Sequence, residues 1–383
     1  MVKRSYRAFF LQLGRILFIL LPAVFLLNLI LPDRSFSEKE NRVLAGKPSW
    51  SLNGLASGRT AAEIDDYMND QFVLRDLWVS LKATVDRALG KVESNGVYAG
   101  KSGYLLESFS APSESYVEGV GSALTSFSLE HPDLAMYMLL APTSVNIHQS
   151  RLPMAAPEVD QNPYIDRMKN VCSEAGIYFI DVRDTLKNHI DEKIYYKTDH
   201  HWTTQGAYYA YLASADIMAL DTSLITYDKL PASKSFQGTL SAKSGFRSST
   251  MEELDVFLPK GDSGYSYVVN YVDEREKSGS FYATAKLSTR DKYAMFLNGN
   301  HAQVRIETPE ADNRVLLILK DSYANCYIPF LSPHYREIIV IDPRYYYGDL
   351  DSIIAAEGVT EVLFCYNANT FYTDNSLELL LSP

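Results

Sequence analysis

Five short apolar runs constrain the fold of this chain more than any other feature. They are Leu134 to Ala141 (LAMYMLLA, between His131-Pro132 and Pro142), Ile177 to Val182, Arg314 to Leu319 (RVLLIL), Glu337 to Ile341 and Glu361 to Cys365. Each is too short for a core helix and has the length and continuity of a strand buried on both faces. Helical periodicity fills Ser115 to Glu130 and the stretch near Tyr164 to Ala175, and helix-like segments precede the later runs. Strands that alternate with helices predict an α/β fold whose parallel sheet is flanked by helices. With 383 residues, 46% of them hydrophobic, the chain can build a sizeable core, and disorder is excluded.

Other segments read differently. Ile64, Tyr67, Met68, Phe72, Leu74, Leu77, Trp78, Leu81 and Val85 recur at spacings of three and four, which predicts an amphipathic helix pair within a helical lead over residues 32–94, packing on the body. Asn95 to Glu107 mixes Gly with aromatic and β-branched residues, as a hairpin does, and opens an α/β domain running over 95–383. From about 217 to 293 the pattern weakens into Ser/Gly/Lys-rich segments with short alternating pieces, Tyr265 to Tyr271 and Gly279 to Ala285; a β-rich insertion is expected there.

The first 31 residues set the compartment. Lys3, Arg4, Arg7 and Arg15 precede an uncharged stretch, Ile16 to Leu31, in which Asn28 is the one strongly polar residue. With Ala8 to Gly14 as lead-in, the segment approaches the roughly 20 residues that span a bilayer, and its basic end predicts a cytoplasmic N-terminus. No small-x-small cleavage signal follows Leu31, so an uncleaved anchor is expected over a cleaved leader or a core helix. Setting aside those four basic residues leaves 32 Lys and Arg against 47 Asp and Glu, a formal balance of −15 for the exported part. So acidic a surface argues against a nucleic-acid partner. Three cysteines, Cys172, Cys326 and Cys365, are too few and too scattered for a disulfide framework or a zinc cluster.

Two places concentrate reactive side chains. In Tyr195 to Tyr209 (YYKTDHHWTTQGAYY), an extended loop would put Asp199 and His201 on one side, so that the carboxylate orients the imidazole and leaves its other nitrogen free as a base. Thr203 or Thr204 is placed to cap the helix expected over Gln205 to Ala213. In Leu316 to Phe330 (LLILKDSYANCYIPF), a buried strand runs into Asp321-Ser322 and a helix-like stretch, which sets Ser322 at the carboxyl end of a parallel strand. Its hydroxyl is a candidate nucleophile and its N–H a candidate oxyanion donor. Asp and Ser are equally ordinary helix caps, and Cys326 is read as a small buried hydrophobe rather than a thiol nucleophile. Asp342, with Arg344 nearby, ends another strand and lines the same crevice or forms a loop ion pair.

Asp199-His200-His201-Trp202 together with Lys320-Asp321-Ser322-Tyr323-Ala324-Asn325 resembles the DHHW proteins, relatives of the alginate O-acetyltransferases of the AlgX/AlgJ type in the SGNH hydrolase-like superfamily. Glu40-Asn41-Arg42 with Leu44-Ala45, Gln71-Phe72 with Arg75, and Asn95-Gly96-Val97-Tyr98 extend the resemblance over nearly all the exported chain. It implies an SGNH-like α/β sheet with circularly permuted motif order and a Ser322-His201-Asp199 triad that transfers or hydrolyses acyl groups on sugars. It implies a polysaccharide or acylated sugar as substrate and a membrane-bound O-acyltransferase as partner, with no cofactor and no metal. The family's glycine and asparagine blocks match best at Gly299 and Asn300, as oxyanion donors or as a plain hairpin turn. Trp202 is read as a core residue or a sugar platform, and Tyr323, Asn325 and Tyr327 are candidates to face substrate. One departure stands out, Lys320 where the superfamily has Gly before Asp-Ser, so its side chain must turn away from the strand end.

Three functions are compatible with these residues. The first is a membrane-anchored extracytoplasmic O-acetyltransferase or acetylesterase. The second is an inactive carbohydrate-binding or scaffolding member, favoured by the missing glycine. The third is a metal-dependent phosphoesterase, disfavoured because no further carboxylates accompany Asp199-His200-His201.

Overall fold

A computed structural model describes residues 2–37, 42–246, 250–261, 265–309 and 313–382. Of the motifs singled out above, Glu40 and Asn41 lie outside them. The chain divides into two compact units, Met1–Lys91 with Gly245–Arg247, and Val92–Ser244 with Ser248–Pro383.

The first unit is helical. A helix over Val2–Ile30 contains a 20-residue window, Phe9–Asn28, of mean hydropathy 2.2 and with none of it buried, long and apolar enough to cross a membrane. The expected amphipathic pair forms as Arg59–Gln71 and Arg75–Ala88. Gln71 ties the region together: its side-chain amide donates to the carbonyls of Arg34 and Ala45, and its amide oxygen accepts from the Arg34 N–H.

The second unit is built on an eight-stranded sheet. Its strands, with a separate two-stranded ribbon counted in chain order, are β1 (Ala135–Ala141), β2 (Tyr178–Phe179), the ribbon β3 (Tyr227–Phe236) and β4 (Glu252–Pro259), β5 (Val268–Tyr271), β6 (Glu276–Ser278), β7 (Gln303–Glu307), β8 (Val315–Lys320), β9 (Glu337–Ile341) and β10 (Glu361–Asn367). The sheet order is β6-β5-β7-β9-β8-β10-β1-β2. The five strands β9 to β2 are parallel, as the apolar runs predict, while β6, β5 and β7 extend the sheet antiparallel. Two pieces of the insertion thus complete the sheet. Gly279 to Ala285 is not a strand: it holds a single bridge, Tyr282 to Phe296, and enters a 3₁₀ turn.

Side chains of the central strands alternate between two cores. Leu139, Leu316, Ile318, Val340, Leu363 and Cys365 face one, and Met138, Leu317, Leu319, Ile339, Val362 and Phe364 the other. Helices α1 (Glu114–Glu130) and α2 (Asn162–Glu174) contribute to the second core; α3 (Thr204–Ser214) and the β3–β4 ribbon contribute to the first. In-register pairing of Leu319 with Ile341 and of Lys320 with Cys365 brings the carboxyl ends of β8, β9 and β10 to one edge. Such an edge is where parallel α/β sheets hold their ligands.

Candidate active site

Two loops meet at that edge. The first, Ile194 to Thr203, is closed by an antiparallel bridge between Tyr195 and Trp202 and by the Thr203 N–H donating to the Ile194 carbonyl at 2.9 Å. Asp199 and His201 are not side by side through strand alternation. Asp199 Oδ1 accepts from the His201 backbone N–H at 3.0 Å, a turn that Asp favours, and also lies 2.6 Å from His201 Nδ1. The same carboxylate oxygen therefore fixes both backbone and ring of the histidine. Thr203 caps α3, its hydroxyl accepting from the Gly206 N–H.

The second loop carries Ser322 out of β8. Asp321 accepts from the Tyr323 N–H through Oδ1, and through Oδ2 from the backbone and side-chain N–H groups of Asn367 at the end of β10. A 3₁₀ turn over Ser322–Cys326 and a four-residue helix come next in the chain, in place of a continuous α-helix. The Ser322 N–H has no backbone acceptor among the described residues.

The loops interlock at three points. His201 Nε2 lies 2.7 Å from Ser322 Oγ; the Trp202 indole N–H donates to the Tyr323 carbonyl at 3.0 Å; the Tyr323 hydroxyl donates to the His200 carbonyl. Trp202 and Tyr323 are fully buried and join the two loops through these bonds, and Asn325 and Tyr327 are buried too. Of Asp199, His201 and Ser322, the first two are buried and Ser322 is half-buried.

Asp199 is charged in this setting. Burial opposes its ionisation, but His201, His200 and the Thr239 N–H outweigh it and hold the carboxyl far below the usual range. Burial, reinforced by the adjacent His200, pushes His201 down to about 4 against the pull of Asp199. The imidazole is therefore neutral at neutral pH, with Nδ1 bound to Asp199 and Nε2 facing Ser322, an arrangement able to accept a proton. For a reaction that used His201 as base, protonation would be inactivating, so kcat/KM is expected to hold as pH falls and to drop only through about 4. An acid limb near the ordinary imidazole value of about 6.5 would contradict this; a pH–rate profile with a neutral aryl ester measures it.

Lys320 turns off the strand end into a buried cluster. Its ammonium lies 3.2 Å from Asp342 Oδ2 and donates to Asn300 Oδ1 at 2.9 Å, while Arg344 pairs with the same Asp342. Asp342 thus carries a buried ion pair and not a free carboxylate. Gly299 has φ of 102°, a left-handed turn, and its N–H donates to the Phe296 carbonyl at 3.1 Å. Asn300 is exposed; its Oδ1 also accepts from Asn325 Nδ2. Burial pushes the Cys326 thiol up to about 12, which leaves it unreactive.

Sequence reasoning missed four contributors. Thr239 donates to Asp199 Oδ2 through its N–H at 2.9 Å and its hydroxyl at 3.2 Å. Gly238 packs against Asp199 and donates to Thr198 Oγ1. Glu252 of β4 accepts from the N–H groups of Lys197 and Thr198, holding the first loop. Tyr293 stacks on His201 with ring centroids 3.6 Å apart. All four come from the stretch whose sequence lacks a period.

The chain resembles a solved DHHW family protein from Eubacterium siraeum (23% identity, TM-score 0.64, covering 76% of this chain and 98% of that one). It also resembles PatB1 of Bacillus cereus (21% identity, TM-score 0.58, 72% of this chain and 97% of that one), a protein also solved with a sulfonyl adduct. These likenesses establish a shared fold. Among curated proteins none matches the sequence. The DHHW protein model matches residues 83–341, two thirds of the sequence and both loops of the site, and the chain belongs to the DHHW family.

Proposed function

We propose that this protein is a serine-dependent O-acetyltransferase or acetylesterase acting on a polysaccharide. The observation that carries the reading is the unbroken line from Asp199 through His201 to Ser322, with contacts of 2.6 and 2.7 Å. Ser322 Oγ attacks the acyl carbonyl carbon while His201 Nε2 takes the hydroxyl proton. The imidazolium then returns that proton to the leaving oxygen as the tetrahedral intermediate collapses to an acyl-enzyme. A sugar hydroxyl, or water, repeats the sequence in reverse and frees Ser322. The Ser322 N–H and the Asn300 side-chain amide are assigned as oxyanion donors; the Gly299 N–H is engaged in its own turn.

The core sheet is assigned to the SGNH-like class in permuted order, since Asp199 and His201 precede Ser322 in the chain. Phe9–Asn28 is assigned as a membrane anchor that leaves the catalytic unit outside the cytoplasm, where a membrane-bound O-acyltransferase would be its acyl-supplying partner. A divalent metal on Asp199, His200 and His201 would need a nitrogen of His201, and both face other partners.

The test uses the full-length protein with an aryl acetate and a neutral oligosaccharide. Release of the aryl group above the buffer rate is expected, with the acetyl group recovered on sugar for a transferase or as acetate for an esterase. Release no faster than in buffer, combined with retention of the oligosaccharide on the protein, would overturn catalysis in favour of binding alone.

A further inference from the structure

The ring of Tyr293 lies flat on the imidazole of His201, with planes 10° apart and centroids 3.6 Å apart, and is itself buried. It cannot slide off. Phe296 and Tyr196 pack around it at 5.1 and 6.4 Å, and it sits in a 3₁₀ turn, Lys292–Met295, capped by Asp291. Its hydroxyl is 3.2 Å from the Ser322 carbonyl oxygen and 3.3 Å from Cys326 Sγ. One side chain therefore touches the base through its face and the nucleophile's backbone through its edge.

Proton transfer from Ser322 turns a neutral, buried imidazole into a cation, the state that burial opposes most strongly. Asp199 meets that ring in its plane, at Nδ1. The face is met by Tyr293, and an aromatic face attracts a cation more than a neutral ring. An interaction that strengthens as the proton arrives lowers the barrier, whereas one of constant strength does not.

We propose that Tyr293 is a positioning residue that stabilises His201 while it carries the Ser322 proton, by a π-face contact that also locks the base to the nucleophile turn. This rests on the serine-triad reading. The experiment replaces the ring without altering its shape: Tyr293→Phe, then the same position carrying difluoro-, trifluoro- and pentafluorophenylalanine, which progressively withdraw charge from the ring face. The rate of Ser322 modification by an aryl sulfonyl fluoride, and kcat and KM for an aryl acetate, are measured on the full-length proteins. Both the labelling rate and kcat are expected to fall stepwise along the series, to a total of roughly 5- to 30-fold relative to Tyr293→Phe, with KM unchanged. A flat series, or losses that appear in KM alone, would overturn the proposal and leave Tyr293 as packing. If wild type itself is not labelled on Ser322, the triad reading fails instead, so the two failures are distinct.

Discussion

Asp199→Asn is expected to slow acyl-enzyme formation about ten-thousandfold, close to the loss seen when the equivalent carboxylate of a serine-protease triad becomes an amide. The reason is tautomeric. Asp199 Oδ1 accepts the His201 Nδ1 proton and so leaves Nε2 bare toward Ser322. An asparagine satisfies Thr239 with its oxygen and turns its NH₂ to Nδ1. The ring proton then moves to Nε2, where it blocks transfer from Ser322. The His201 backbone N–H, which also donates to Oδ1, loses its acceptor, so a stability loss of about 1–3 kcal/mol should accompany the rate loss. A folded protein with the large rate loss supports the assignment; a rate loss below tenfold contradicts it. Ser322→Ala should remove the acyl-enzyme entirely.

Gly238→Ala should do smaller but still large damage from outside the triad. A Cβ at position 238 would stand 2.2 Å from Asp199 Cβ, 2.4 Å from Oδ2 and 2.5 Å from Cα. None of these is the tip of a mobile side chain. Gly238 is not among the residues with positive φ, so the requirement is for space and not for backbone freedom. Relief demands a shift of about 1 Å in one of the two loops, and Asp199 is the group displaced. Misplacement on that scale costs about a hundredfold in rate, and overpacking costs about 1–3 kcal/mol of stability. Kinetics and chemical denaturation of the variant measure the two effects; unchanged kcat would show that the loop yields without moving Asp199.

How much of this was legible depends on where each residue sits. Asp199 and His201 are two residues apart, and Ser322 comes directly after a continuous apolar strand, so local sequence carries both halves of the site. The meeting of the halves depends on Trp202 and Tyr323, whose bonds across 121 and 123 residues no local pattern encodes. Thr239, Glu252 and Tyr293 lie in segments without period, because they serve the first loop rather than a repeating face. Apolar runs mislead in one direction: Ile180 and Val182 are fully buried, yet β2 ends at Phe179, where the Asp181–Arg183 pair accompanies a turn into the next helix. Burial there marks core and not sheet. Conversely, β7 reads Gln-Val-Arg-Ile-Glu, and its two charged residues conceal a strand whose Val304 and Ile306 are buried.

The most direct test of the account is where a serine-directed reagent lands. Full-length protein treated with an aryl sulfonyl fluoride, digested and mapped by mass spectrometry, should carry one adduct, on Ser322, and the His201→Gln protein should carry almost none in the same time. Modification of another residue, or of Ser322 at an equal rate in both proteins, would contradict the activation of Ser322 by His201.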